Sequence, residues 1–136
     1  MRVFLVFLLF GWLCSSLYSA DNITNVRTSF NKGKQRVVID IDGNDEPAYY
    51  VRKGKNEIDL TIERITTPDK AESFAGLLSG TNYIQKASFI LLPDEKETII
   101  SIDINDKVSD DIFSLAGPSR IVIDLEKTRP VKGENQ

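Results

Sequence analysis

The sequence predicts a mainly β protein, a sandwich of two similar short antiparallel sheets with one connecting helix at about residues 67–80. Three observations lead to this prediction. Apolar and polar residues alternate along several short segments, which is the period of a half-buried strand. Turn-forming residues separate these segments. A single segment has instead the period and the terminal residues of a helix.

The strand prediction rests on four segments in which every second residue is a branched apolar one. They are residues 37–41, 58–62, 100–104 and 121–125, and each would turn its isoleucine, valine or leucine side chains toward a core. The stretches between strands, such as "NKGKQ", "DGNDEP" and "LPDEKE", are rich in glycine, proline, asparagine and aspartate, which favour turns. We also expect three aromatic residues to fill the core: Phe30, Tyr83 and Phe89.

The helix prediction rests on the stretch "TPDKAESFAGLLSG" at 67–80. Thr67 suits the N-cap, Pro68 the first helical position and Gly80 the end of the helix. Four apolar residues fall on one helical face, so this face would pack against a sheet. They are Ala71, Phe74, Ala75 and Leu78.

The first 20 residues have the layout of a secretory signal peptide, with Arg2 followed by an apolar run over 3–13 and then small polar residues. We expect cleavage after Ala20, and an uncleaved membrane anchor is the alternative. Cleavage would leave a periplasmic protein without a stable membrane span. It would consist of one domain at 21–127 and a polar, flexible tail at 128–136.

The composition excludes several classes of enzyme site. The chain has no histidine, and its one cysteine, Cys14, lies in the segment expected to be removed. Catalytic triads with histidine, cysteine–histidine dyads and most hydrolytic zinc sites need these residues. The formal net charge is −3 and no block of lysine and arginine occurs, which disfavours nucleic acid and anionic membrane surfaces as partners. We therefore expect no enzyme, no cofactor and no metal, with a hydrolase that uses two carboxylates as an alternative.

One short stretch, "DIDGNDE" at 40–46, begins like a calcium-binding loop. Its glycine stands at the fourth position rather than the sixth, and Val51 stands at the twelfth, where such a loop needs glutamate. We predict a turn instead of a metal site.

The second half of the domain resembles the first when 37–62 is aligned with 100–125 without a gap. The triplet 39–41 then falls on 102–104, and Gly54 falls on Gly117. Upstream, 23–30 resembles 84–91 once some slack is allowed. Each half would hold about four strands. Either the domain arose by duplication, or two β-rich segments share a composition.

A short motif also occurs twice, as "RVVID" at 36–40 and "RIVID" at 120–124. Strand alternation directs its arginine and aspartate away from the core, and the two lie about 13 Å apart along a strand, too far to pair. Each must pair across strands or face a ligand, so the motifs form either cross-strand ion pairs or a polar binding surface. The candidate ligand-binding residues are Arg36, Asp40, Arg120 and Asp124, with Tyr50 as a possible stacking contact for a sugar.

The order of these features resembles the AMIN domain. The resemblance rests on "ITNVRTS", "QRVVIDI", the central helix and above all "GPSRIVIDLEKT", and it covers about residues 22–127. That family precedes the catalytic domain of periplasmic N-acetylmuramoyl-L-alanine amidases and also occurs in type IV pilus secretins. The resemblance implies a sandwich of two similar sheets that binds the cell wall. It does not extend to the amidase activity, whose zinc ligands belong to a different domain.

From the resemblance and the composition we expect a non-catalytic exported binding module that contacts peptidoglycan and localises or assists cell-envelope machinery. The alternative is a protein–protein adaptor of a pilus, a secretin or another envelope assembly. Such an adaptor would use an exposed sheet edge for strand addition.

Overall fold

The computed structural model describes residues 21–66, 70–92 and 94–128 of the 136-residue chain. The predicted signal peptide at 1–20, the tail from 129 to 136 and residues 67–69 of the predicted helix lie outside the described residues. The described residues form nine strands and one helix, which confirms the predicted mainly β class. In chain order they are β1 (Asp21–Asn31), β2 (Lys34–Ile41), β3 (Tyr49–Gly54), β4 (Glu57–Glu63), β5 (Ile65–Thr66), α1 (Ala71–Leu78), β6 (Ile84–Leu92), β7 (Glu97–Ile104), β8 (Val108–Leu115) and β9 (Arg120–Lys127).

The strands form two sheets, one in the order β5-β1-β2-β9-β8 and one in the order β3-β4-β7-β6. All neighbours are antiparallel except the two-residue β5, which runs parallel to β1. One apolar core, built from both sheets, lies between them, and this confirms the predicted sandwich. The alternating residues of the four segments are all buried: Val37, Ile39, Ile41, Ile58, Leu60, Ile62, Ile100, Ile102, Ile104, Ile121, Ile123 and Leu125.

The two halves of the chain interleave, because each sheet takes one hairpin from each half. The hairpin β1–β2 pairs with β8–β9, and β6–β7 pairs with β3–β4. The pairing registers follow the alignment of the two halves: Val37 lies opposite Ile123 in one sheet, and Ile100 lies opposite Leu60 in the other. Both sheets also have a register irregularity near the start of the leading strand, at 23–25 in β1 and at 84–86 in β6. The sequence repeat therefore has a structural counterpart.

The described helix, Ala71–Leu78, lies within the predicted 67–80 and ends two residues before the predicted end. It begins at Ala71 after Lys70, which makes no capping hydrogen bond through its side chain. Phe74 and Leu78 are buried as predicted, and the ring of Phe74 lies 5.7 Å from that of Phe89 on β6. At the helix end, the hydroxyl of Ser79 accepts a hydrogen bond from the N–H of Ala87 at 2.9 Å. The helix thereby covers part of the edge of β6.

The prediction for the aromatic core is wrong for one residue. Tyr83 and Phe89 pack against the core, but Phe30 is 48% exposed. It lies at the β1–β2 turn, with its ring 5.5 Å from Tyr83 in an edge-to-face arrangement. The strand pattern does not show where along a strand the facing sheet ends, so alternation alone overestimates burial near turns.

The open side of the sandwich, between the edge strands β3 and β8, is closed by polar contacts. Lys53 and Asp110 both point toward the core side and form an ion pair at 2.8 Å. Next to this pair, the hydroxyl of Tyr49 donates to the carbonyl oxygen of Ile112 at 3.3 Å. Inward-pointing charges on edge strands are a recognised protection against pairing with further strands.

Candidate binding face on the five-stranded sheet

The two copies of the repeated motif lie side by side at the centre of the five-stranded sheet. They occupy β2 and β9, which are antiparallel neighbours. Because one copy runs opposite to the other, Arg36 lies across from Asp124, and Asp40 lies across from Arg120. The repetition therefore brings each arginine of the motif next to an aspartate of the other copy.

The first of these juxtapositions forms a tight ion pair. Nε and Nη2 of Arg36 donate to the two carboxylate oxygens of Asp124 at 2.8 and 2.9 Å. The side chain of Asp124 is only 8% exposed, whereas that of Arg36 is 49% exposed. The hydrogen bonds from Arg36 lower the pKa of Asp124 despite the opposing effect of burial, and the same contact raises the pKa of Arg36.

The second juxtaposition does not form a pair, because Asp40 is bound to a third arginine. Nε and Nη2 of Arg27, on β1, donate to the carboxylate of Asp40 at 2.9 and 3.0 Å. This pair is more exposed than the first, with 57% of the Arg27 side chain and 23% of the Asp40 side chain accessible. Arg27 was not among the candidate residues predicted from the sequence, although the segment "NVRTS" was part of the resemblance.

Arg120 is left without a carboxylate partner within ion-pair distance among the described residues. Its Nη1 instead donates to the carbonyl oxygen of Pro118 at 2.7 Å. Directly across from it on β8 lies Leu115, which is 36% exposed. The guanidinium of Arg120, a half-buried residue, and the exposed aliphatic side chain of Leu115 thus stand together at one end of the sheet.

An apolar row crosses the same face between the two ion pairs. Val38, Val122 and Phe113 lie side by side on β2, β9 and β8. We call this outer surface the arginine face and define it by the three arginines, their two aspartates, the apolar row and Leu115. Its members are Arg27, Arg36, Val38, Asp40, Phe113, Leu115, Arg120, Val122 and Asp124.

The structure places Tyr50 away from the other four predicted site residues. Tyr50 lies on β3 of the second sheet, opposite Thr61, and is 49% exposed. The pairing continues through Ile99 to Ile90, which is 47% exposed. Arg36, Asp40, Arg120 and Asp124 share the arginine face, but Tyr50 belongs to the outer surface of the other sheet.

A cleft of about 400 Å³ lies at one end of the sandwich, beside the loop that joins β2 to β3. This loop includes most of the stretch "DIDGNDE", and it is held by backbone hydrogen bonds from Gly117 to Asn44 and from Ser119 to Gly43. In the part of the chain that the structure describes, no three residues of metal-binding type gather into a site. Nor is any helix within this part long and apolar enough to cross a bilayer.

No model of a known protein family matches the sequence. No curated protein shows significant similarity to it either.

Proposed function

We propose that this protein is a non-catalytic exported module that binds peptidoglycan through the arginine face and assists cell-envelope machinery. The observation that carries the proposal is the arginine face itself. Three arginines surround an apolar row on a sheet whose core side is fully packed. Guanidinium groups bind carboxylates through paired hydrogen bonds. Val38 and Phe113, the half-buried members of the row, offer apolar contact beside them, whereas Val122 between them is buried.

Two features of the surface support a binding role. Arg27 and Arg36 are each held by two hydrogen bonds, so the surface is ordered before a ligand arrives and little side-chain entropy is lost on binding. The surface is also formed by strands rather than loops, and this keeps the charges in a fixed pattern. A flat surface of this kind binds weakly at one position, and a repeating polymer adds affinity through many such contacts.

The resemblance to the AMIN domain supports the choice of peptidoglycan, and the predicted signal peptide supports export to the periplasm. The alternative is a protein–protein adaptor that uses an exposed sheet edge for strand addition. At the β3–β8 side, the Lys53–Asp110 pair and the Tyr49 contact disfavour strand addition. An adaptor that uses strand addition would therefore use another edge, such as residues 23–31 of β1, which pair with β2 on one side and lie beyond the two-residue contact with β5.

The test is co-sedimentation of the purified protein with peptidoglycan sacculi at low and at physiological salt. Leu115→Glu places a negative charge on the arginine face, and Ile90→Glu makes the same change at an exposed position of the other sheet. We expect the wild type and Ile90→Glu to pellet at physiological salt and Leu115→Glu to stay in solution. Loss of pelleting only in Ile90→Glu would place binding on the Tyr50 side. No pelleting of the wild type would favour the adaptor.

A further inference from the structure

The three arginines of the arginine face differ in how their guanidinium edges are used. Arg27 and Arg36 both offer Nε and Nη2 to an aspartate, and both aspartates accept two hydrogen bonds. Arg120 is oriented by its Nη1, which donates to the carbonyl oxygen of Pro118. Its Nε and Nη2 make no hydrogen bond with the residues that the structure describes. The edge that holds a carboxylate in the other two arginines is thus available for a ligand in Arg120.

The strand register explains why Arg120 lacks an internal partner. Asp40 lies across from it, but both carboxylate oxygens of Asp40 accept from Arg27. If Arg120 and Asp40 repeated the pair Arg36–Asp124, Arg27 would be the arginine left without an aspartate. Arg27 prevents this repetition, so Arg120 is the arginine of this face that can bind a carboxylate without breaking an existing ion pair.

The surroundings of Arg120 narrow the chemistry of the ligand. Leu115 is exposed directly across the strands, and the apolar row begins one pleat further along the same face. A ligand bound here would present a carboxylate to Nε and Nη2 and a short aliphatic group to Leu115. A sugar ring offers hydroxyl groups rather than this combination. The alanine-rich, carboxylate-bearing stem peptides of peptidoglycan offer both.

We propose that Arg120 binds a carboxylate of the peptidoglycan stem peptide, and that the module recognises the peptide rather than the glycan strand. This inference rests on the proposed function. Arg27 and Arg36 then shape the surface and hold the two aspartates, while Arg120 contacts the ligand. The planar fork of arginine matches a carboxylate with two parallel hydrogen bonds, which lysine does not reproduce.

The first experiment compares native sacculi with sacculi whose carboxyl groups have been converted to amides. Three variants accompany the wild type: Arg120→Gln, Arg120→Lys and, as a control of equal charge, Arg52→Gln on the other sheet. We expect amidation and Arg120→Gln each to weaken binding at least about tenfold, the usual effect of losing a hydrogen bond to a charged group. Arg120→Lys should recover only part of the affinity, and Arg52→Gln should bind as the wild type does.

The outcomes separate this inference from the proposed function. If the wild type binds native and amidated sacculi equally, or if Arg120→Gln binds as tightly as Arg52→Gln, the role of Arg120 is refuted and wall binding remains. If the wild type does not bind native sacculi, the proposed function fails. A titration with N-acetyl-D-alanyl-D-alanine and its C-terminal amide then decides about Arg120. A shift of its Nε–H resonance with the acid alone would support a carboxylate site, and no shift would refute it.

Discussion

Replacing Arg36 by alanine tests how far the ion pair with Asp124 stabilises the centre of the five-stranded sheet. The variant leaves a carboxylate that is 8% exposed without its partner, whereas the lost guanidinium is itself 49% exposed. Removing one partner of a buried pair costs about 3–5 kcal/mol, and exposed pairs contribute up to about 1 kcal/mol. We therefore expect an intermediate loss of about 2 kcal/mol in the free energy of unfolding. In a domain of this size, it corresponds to a melting temperature about 10 °C lower.

The chain contains a matched control for this experiment. Arg27→Ala breaks a pair of the same bidentate geometry, but the aspartate of that pair is 23% exposed. We expect it to cost less than about 1 kcal/mol. Urea denaturation of both variants at pH 7 gives the comparison. Equal losses in the two variants would refute the argument from burial.

The pH dependence gives an independent check. Arg36 lowers the pKa of Asp124 in the native state. The pair therefore contributes its full stability above the pKa of Asp124 in the unfolded state, which is about 4. This contribution is lost as the pH falls through the lower pKa of the native state. The difference between the wild type and Arg36→Ala should be full at pH 7 and shrink below about pH 5. A difference that stays constant down to about pH 3 would show that lost packing, rather than charge, causes it.

Three further predictions concern other parts of the fold. Burial and the nearby Glu95 and Glu63 raise the pKa of Glu97, so the charged carboxylate destabilises the folded protein at pH 7. Glu97→Gln should therefore raise the melting temperature at pH 7 and lose this gain below about pH 4, where the carboxyl is protonated in both states. Thermal unfolding at both pH values tests this, and equal gains would contradict it. Gln35 is fully buried and forms hydrogen bonds with Thr28, Thr81 and the N–H of Tyr83. Gln35→Leu should therefore lower the free energy of unfolding, measured by urea denaturation, by about 3 kcal/mol. A loss below about 1 kcal/mol would refute the stabilising role of these hydrogen bonds. Asp110→Val removes the inward-pointing charge from β8 and should promote self-association, which light scattering detects. The control Asp111→Val, at the neighbouring outward position, should stay monomeric. A monomeric Asp110→Val would contradict the proposed protection of this edge.

The sequence predicted the elements whose signal is local. Alternation places Ile121, Ile123 and Leu125 in the core because β9 is regular along its length. The same rule fails for β1, where a register irregularity between Ile23 and Asn25 interrupts the alternation. For this reason, the alternation pattern did not predict that Arg27 lies on the arginine face. The contribution of Arg27 depends on which face of the sheet Arg27 takes after the irregularity.

Long-range pairing was the other part that the sequence did not settle. That β2 and β9 are neighbours follows from the interleaving of hairpins, and no local pattern encodes which strands meet. Once the two strands are known to be antiparallel neighbours with their motifs in register, Arg36 lies opposite Asp124 and Asp40 lies opposite Arg120. Both the neighbour and the register come from the structure, because the motif alone fixes neither.

Comparison of the two halves of the structural repeat distinguishes the residues that form the core from the residues that form the arginine face. Positions that the alignment of the two halves relates keep an apolar side chain toward the core, as in Ile39 and Ile102 or in Ile121 and Ile58. Three of the four outward positions of the motif diverge, because packing between the sheets does not constrain them, and the fourth is aspartate in both halves. In the order Arg36, Asp40, Arg120 and Asp124, the counterparts are Ile99, Asp103, Glu57 and Thr61. The counterparts of the ion pair Arg36–Asp124 thus lie opposite each other in the second sheet and cannot form one. The second sheet builds the same backbone framework with Ile99 and Thr61 in place of the pair Arg36–Asp124, so this pair stabilises its own sheet but is not a feature that the framework shares. The concentration of Arg27, Arg36 and Arg120 on one outer surface therefore supports the proposed binding role there.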